Sequence, residues 1–172
     1  GSLLTRGFSD HDIMAVVIDD DQERIKALAL RDYRDRMPGL CADASVPKHL
    51  VAAGISLTNC IGVVALSPNE DLNLKITVMT RFLNPAAQVI CRASSTGKQQ
   101  HLEAMEGVTV INPFELFATQ LGLAVSAPQL YGLNEWFLGA SGAKLGKQNT
   151  VRQGPWILCG YGRMGSCIQR EF

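Results

Sequence analysis

The stretch Trp156-Ile157-Leu158-Cys159-Gly160-Tyr161-Gly162-Arg163-Met164-Gly165 decides the fold class. Four apolar residues with the composition of a strand run into glycines spaced G-x-G-x-x-G, and a helix start follows. That glycine pattern is weak when alone; a strand before it and a helix after it are the context it requires. There Gly160 permits a tight turn, Gly162 lets the backbone approach a pyrophosphate, and Gly165 lets the helix pack closely. Exposed N–H groups at the helix start and the helix dipole form an anion site. The Arg163 guanidinium can add a charge-assisted phosphate contact. Gly160, Gly162, Arg163, Met164 and Gly165 are therefore the expected phosphate cradle. The competing reading is a glycine-rich turn that holds no ligand.

Upstream, short apolar runs alternate with longer amphipathic stretches, as repeated βα units around a parallel sheet require. Strands are expected at Ile13–Ile18, Leu40–Ala42, Cys60–Leu66, Gln88–Cys91, Val108–Ile111 and Trp156–Cys159. Helices are expected over 22–34, 47–53, 71–82, 98–106, 114–124 and 128–137. Pro47 suits a helix start, and Gly54 suits its carboxyl-terminal cap. The fold class is α/β: a Rossmann-like doubly wound parallel sheet in three α/β/α layers. Residues 139–154 are rich in Gly, Lys, Gln and Asn and read as a linker. The expected organisation is a Rossmann domain over 1–138 lacking its first strand, a linker over 139–155, and a strand, glycine loop and helix start over 156–172.

The two ends resemble each other. Gly165-Ser166-Cys167-Ile168-Gln169-Arg170-Glu171-Phe172 shares Gly, Ser, Arg and Phe at matching places with Gly1-Ser2-Leu3-Leu4-Thr5-Arg6-Gly7-Phe8. Both occupy the slot of a Rossmann first helix, so the first βα unit is expected to come from the carboxyl-terminal segment. The chain reads either as a slice across two tandem domains or as a permuted one. A doubly wound sheet holds its first strand at the centre, and without it two strand edges are open. Trp156–Phe172 is expected to fill that place, in the same chain or in a dimer partner.

Asp19 ends the run Val16-Val17-Ile18, where the second strand of such a domain carries its acidic residue. Its carboxylate can accept both ribose hydroxyls and would repel the extra phosphate of NADP. Counted from Gly1 as the equivalent of Gly165, its position suits an interval of about 20 residues from the glycine loop. Asp20 is a second candidate, or else a solvated cap favoured by the helix dipole.

With Asp19-Asp20-Asp21, the runs Ala42-Asp43-Ala44-Ser45, Asn69-Glu70-Asp71-Leu72-Asn73-Leu74, Arg81-Phe82-Leu83-Asn84-Pro85, Cys91-Arg92-Ala93 and Val110-Ile111-Asn112-Pro113 follow in order. This succession, over roughly residues 13–124, resembles the TrkA-N family, the nucleotide-binding lobe of the RCK (KTN) domains that regulate potassium channels and transporters. The resemblance implies ribose binding at Asp19, adenine contacts near Asp43 and Ala44, phosphate or ligand-edge contacts from Arg92, and Ser67 lining the pocket at a strand's carboxyl end. The alternative for Arg92 is an ion pair with a nearby helix. NAD(H) is the first expected ligand, with ADP, ATP or AMP as others. A homodimer or tandem-domain assembly and a potassium channel or transporter subunit are the implied partners, at the cytoplasmic face of a membrane. The glycine loop departs from the family pattern by following the other motifs.

The rest of the chain narrows the function classes. Sixteen basic and sixteen acidic residues among 172 leave no net charge for a nucleic-acid groove. No apolar run approaches the roughly 20 residues of a spanning helix, and no signal peptide is evident. The five cysteines lack metal spacing, as expected in a reducing compartment. Gln129–Phe137 puts Leu130, Leu133, Trp136 and Phe137 on one helical stripe, a packing or dimer face. The second function is a fragment of an NAD-dependent oxidoreductase. The Tyr-x-x-x-Lys arrangement of one dehydrogenase group is missing, because Tyr33, Tyr131 and Tyr161 are followed four places on by Met37, Glu135 and Gly165. His11, His49 and His101 are isolated. A third reading, an assembly module with a decayed site, conflicts with retaining both the glycines and Asp19.

Overall fold

The computed structural model describes residues 5, 8, 13–31, 37–138 and 154–172. It forms two compact units, Gly1–Ile111 and Asn112–Phe172.

The first unit holds two parallel sheets. In one, β1 (Val17–Asp19) pairs with β2 (Gly39–Cys41). In the other, β3 (Gly62–Ala65), β4 (Gln88–Arg92) and β5 (Val108–Ile111) lie in the order β3-β4-β5. A doubly wound sheet runs outward from a central strand in both directions. The orders β2-β1 and β3-β4-β5 match the two flanks of such a sheet, and no described residue pairs with the remaining edge of β1 or β3.

Helices follow the strands: α1 (Gln22–Ala29), α2 (Pro47–Ala52), α3 (Glu70–Leu83) and α4 (Thr96–Glu103). Their starts are written into the sequence. Asp21 caps α1 by accepting from the Glu23 and Arg24 N–H groups, and Asn69 does the same for α3 with Asp71 and Leu72. Pro47 opens α2, and Gly54 follows it at φ 97°. Asn84 ends α3, where its Nδ2 donates to Ile55 O at 2.9 Å and Cys60 O at 3.3 Å.

The core lies between α3, α4 and the three-stranded sheet: Ala65, Ile76, Val89, Cys91, Ala93 and Leu102. Asn73, Ile76, Thr77 and Thr80 are all buried at helical spacing on α3. Both threonine hydroxyls donate to carbonyls one turn back, Thr77 to Asn73 at 2.9 Å and Thr80 to Ile76 at 2.8 Å. Small polar residues thereby face the sheet without an unmet hydrogen bond.

The second unit contains α5 (Pro113–Ser126), α6 (Pro128–Leu138) and α7 (Arg163–Glu171). Asn112 caps α5 through the Phe114 N–H, with Pro113 at the first turn. Leu130, Leu133, Trp136 and Phe137 are all exposed on α6. The linker residues 139–153 and His11 lie outside the described residues.

Strand lengths differ from expectation in one systematic way. Residues 13–16 and Ile61, expected within strands, lie outside the ladders, and Ile61 is 79% exposed. The Ile61 carbonyl still accepts the Gln88 N–H at 2.9 Å, at the margin of the β3–β4 ladder. Among the described residues Trp156–Cys159 pairs with no strand, and Ile157 is 91% exposed. Conversely, α3, α5 and α6 each run one or two residues past an expected limit.

Leu102 is fully buried in the core, so Leu102→Ala is expected to lower unfolding free energy by about 2–5 kcal/mol. Leu30→Ala, at a site 87% exposed, is expected to leave the denaturant midpoint unchanged. Equal midpoints for the two variants would contradict this core.

Candidate functional site

Ligands in open α/β sheets bind outside the carboxyl ends of the strands. Asp19 is the last residue of β1. Its Oδ1 accepts the Asp21 N–H at 2.9 Å, and its Oδ2 faces Arg24 Nη1 at 3.4 Å. Arg24 also reaches Asp21 Oδ2 through Nε at 3.2 Å. One exposed guanidinium on the first turn of α1 thus bridges two carboxylates. Asp20 is exposed and does not cap α1; that role falls to Asp21, one residue closer to the helix.

Asp43 and Ala44 follow β2. The Asp43 Oδ1 accepts the Ser45 N–H at 2.7 Å, a local turn that pulls its carboxyl below the usual range, helped by the Ser45 hydroxyl and by His49 and Lys75 charges. Its carbonyl lies 2.7 Å from His49 Nδ1, so His49 is not isolated. Ala44 packs against the core cluster.

Ser67 and Arg92 stand at the ends of β3 and β4, and one buried side chain links them. Asn73 Oδ1 accepts the Ser67 N–H at 2.8 Å, while its Nδ2 donates to Ser67 O at 2.8 Å and Arg92 O at 2.9 Å. No ion pair to the Arg92 guanidinium occurs among the described residues, and the guanidinium alternative of a helix partner is not observed. One turn earlier on α3, Glu70 binds the loop after β4. Its Oε1 accepts from the Ser94 N–H at 3.0 Å and from the Ser94 hydroxyl, and its Oε2 accepts the Ser95 hydroxyl at 2.6 Å. These donors hold the Glu70 carboxyl down at about 2. Neither Asn73 nor Glu70 was expected as part of the site. The available signal was Asn73 itself, a polar residue on the buried stripe of α3.

The glycine loop lies in the second unit and is described separately. Gly160 has φ 104°, a left-handed conformation suited to glycine. A Cβ at Gly165 would collide with the Gly160 carbonyl oxygen. The third glycine is therefore demanded by the loop's own fold. A Cβ at Gly162 would meet nothing within 4 Å, leaving open space above the backbone that the pattern reserves for a ligand. Gly162 caps α7 without a side chain, and Gly165 and Cys167 are buried. Arg163 lies over the Phe114 ring at 4.8 Å, a cation–π contact within this unit. The groove between α5 and α7, about 220 Å3 and lined by Glu115, Ala118, Thr119, Cys167, Arg170 and Glu171, contains none of the expected site residues.

No group of three or more potential metal ligands occurs among the described residues. All five cysteines are free, with Cys91 and Cys167 buried and Cys41 and Cys159 exposed. No described helix is long and apolar enough to cross a membrane.

Parallel strands wound outward in two directions, with an aspartate closing the first of them, define a Rossmann-type α/β domain. The model of the TrkA-N domain matches residues 1–113. The chain belongs to the TrkA-N domain family. It is 21% identical over 150 residues to the Trk system potassium uptake protein TrkA homolog of Pyrococcus horikoshii, covering 84% of this chain and 62% of that protein's length. Among solved structures it resembles the NAD(P)-binding domain of an exopolyphosphatase-related protein from Archaeoglobus fulgidus. That likeness has a TM-score of 0.59 at 20% identity and covers 70% of this chain and 86% of the other.

Two predictions follow from these geometries. The Glu70 carboxyl, near 2 when folded against 4.5 ordinarily, contributes stability that is present above about pH 4.5 and lost as pH falls through about 2. Acid unfolding of the parent and of Glu70→Gln is expected to diverge above pH 4.5 and converge toward pH 2; parallel profiles would rule out the tie. Gly165→Ala is expected to cost about 1–3 kcal/mol through overpacking and to speed alkylation of the buried Cys167, followed by peptide mass spectrometry. An unchanged Cys167 rate would show that the loop does not need its third glycine.

Proposed function

We propose that this chain is a nucleotide-sensing regulatory domain that binds NAD(H) first, with ADP, ATP or AMP as further ligands. The observation that carries this reading is Asp19, a partly exposed carboxylate at the carboxyl end of β1, beside a sheet edge that no described residue pairs. A ribose diol presents two donors to such a carboxylate. Arg24 leaves lone pairs on both oxygens and supplies positive charge at the same corner.

A whole pocket of this class needs a strand and a glycine loop at the centre of the sheet, next to β1. Such a strand would restore the order β2-β1-x-β3-β4-β5, and its loop would bring open N–H groups toward a pyrophosphate. Residues 156–162 have the composition for this, and α7 opens as the fingerprint requires. Asp43 and Ala44 would edge the adenine, with Ser67 and Arg92 on the phosphate side.

Family membership and the likeness to a Trk system potassium uptake protein TrkA homolog of Pyrococcus horikoshii support a role in controlling potassium transport at the cytoplasmic face of a membrane. The ligand would act by binding more tightly to one arrangement of domains or of paired copies, which an associated transport subunit reads out. No chemical step on the ligand is required.

Calorimetric titration with NADH, NAD, ADP and ATP tests this reading. Saturable binding without turnover is expected, weakened about tenfold or more by Asp19→Ala, since charge-assisted hydrogen bonds contribute about 1.5–3 kcal/mol. Steady oxidation of NADH with a small substrate would favour an oxidoreductase instead. Binding indifferent to Asp19 would remove the ribose site.

A further inference from the structure

Asn73 holds a place that neither motif nor resemblance assigns. It is fully buried, and a buried primary amide is costly unless its donors and acceptor are used. Here both Nδ2 hydrogens and Oδ1 are used, and every partner is main chain at the end of a strand.

The placement of those partners is specific. The β3–β4 ladder ends at the pair Ala65 and Cys91, after which the two chains diverge toward α3 and α4. The next residues along them, Leu66–Ser67 and Arg92, no longer exchange backbone hydrogen bonds as a ladder. Asn73 stands where the next rung would be, gripping Ser67 on both its N–H and C=O and Arg92 on its C=O. A rung made by a side chain permits the strands to part while keeping their ends in register. Glu70, one turn nearer the start of α3, ties the loop after β4 through Ser94 and Ser95. The bend of the chain at Ser67 is held from α3, and the Arg92 main chain is held both from α3 and by its pairing with Ile111 of β5.

We propose that Asn73 is a positioning residue for the phosphate side of the nucleotide site, acting through the main chain of Ser67 and Arg92. This rests on the nucleotide-binding reading above. It makes the response to substitution selective: the adenosine portion, bound at β1 and β2, is indifferent to Asn73, while the phosphate portion depends on it. A residue that only supported the fold would weaken both portions together.

Adenosine and ADP are the probes, titrated into the full chain, and the quantity read is the ratio of their affinities. Asn73→Ala is expected to lower ADP affinity about tenfold, the scale of one lost charge-assisted contact, and to leave adenosine affinity within about twofold. Arg92→Ala is expected to reduce the ratio similarly, and the double variant to add little to either alone. An unchanged ratio in Asn73→Ala overturns the inference. Should Asn73→Ala fail to fold, Arg92→Ala decides: an unchanged ratio there overturns it, because Asn73 then has no phosphate contact to position, and a reduced ratio sustains it. Parent protein that binds neither probe removes the nucleotide reading itself, whereas parent binding with an unaltered ratio removes only the role of Asn73.

Discussion

A strand in a parallel sheet needs a neighbour on each side to satisfy its main chain away from water. β4 has both, and its Val89 and Cys91 are completely buried. Among the described residues β1 and β3 each have one. All three residues of β1 remain only partly buried, and the apolar residues Met14, Val16 and Ile61 beside these strands are exposed. The strands form two sheets, β2-β1 and β3-β4-β5, in place of one continuous sheet.

α3 organises the wall that is present. Its buried stripe of Asn73, Ile76, Thr77 and Thr80 lies on the sheet, and its first two turns reach past the strands to their carboxyl ends. The two ties differ in kind. Asn73 is a neutral amide with all its partners in the interior, where hydrogen bonds are strong and unmet ones expensive. Glu70 is a carboxylate among hydroxyl and amide donors, and it is sensitive to acid. Together they fix the loops after β3 and β4, while the β1 corner is held by exposed contacts of Asp19, Asp21 and Arg24, of the sort that contribute little to stability. The loops after β3 and β4 and the corner at β1 are thus held by different kinds of interaction.

Much of the fold was legible in the sequence because its punctuation is local. Asn69, Asn112, Pro47, Gly54 and Pro113 mark helix ends by their own conformational preferences, and Val108–Ile111 matches its expected limits. Asp19 was legible for the same reason, as an acidic residue ending an apolar run. What escaped depended on residues distant in the chain. β1 and β3 are shorter than the apolar runs that contain them, because a ladder ends where its partners in β2 and β4 end, which no local pattern encodes. Asp21 rather than Asp20 caps α1 because of where the helix begins by a single residue. Asn73 reads as an ordinary polar residue until its spacing to Ile76, Thr77 and Thr80 places it on the buried face, and its partners at Ser67 and Arg92 lie six and nineteen positions away. The glycine loop was legible as a local turn, with Gly160 and Gly165 requiring each other.

Amide hydrogen exchange, recorded along the full chain with and without NADH, tests the central claim that the carboxylate closing β1 binds the ribose of a nucleotide. The account predicts that saturating ligand slows exchange at the turn from Asp19 to Asp21. Unchanged exchange at that turn, at saturating ligand, would contradict it.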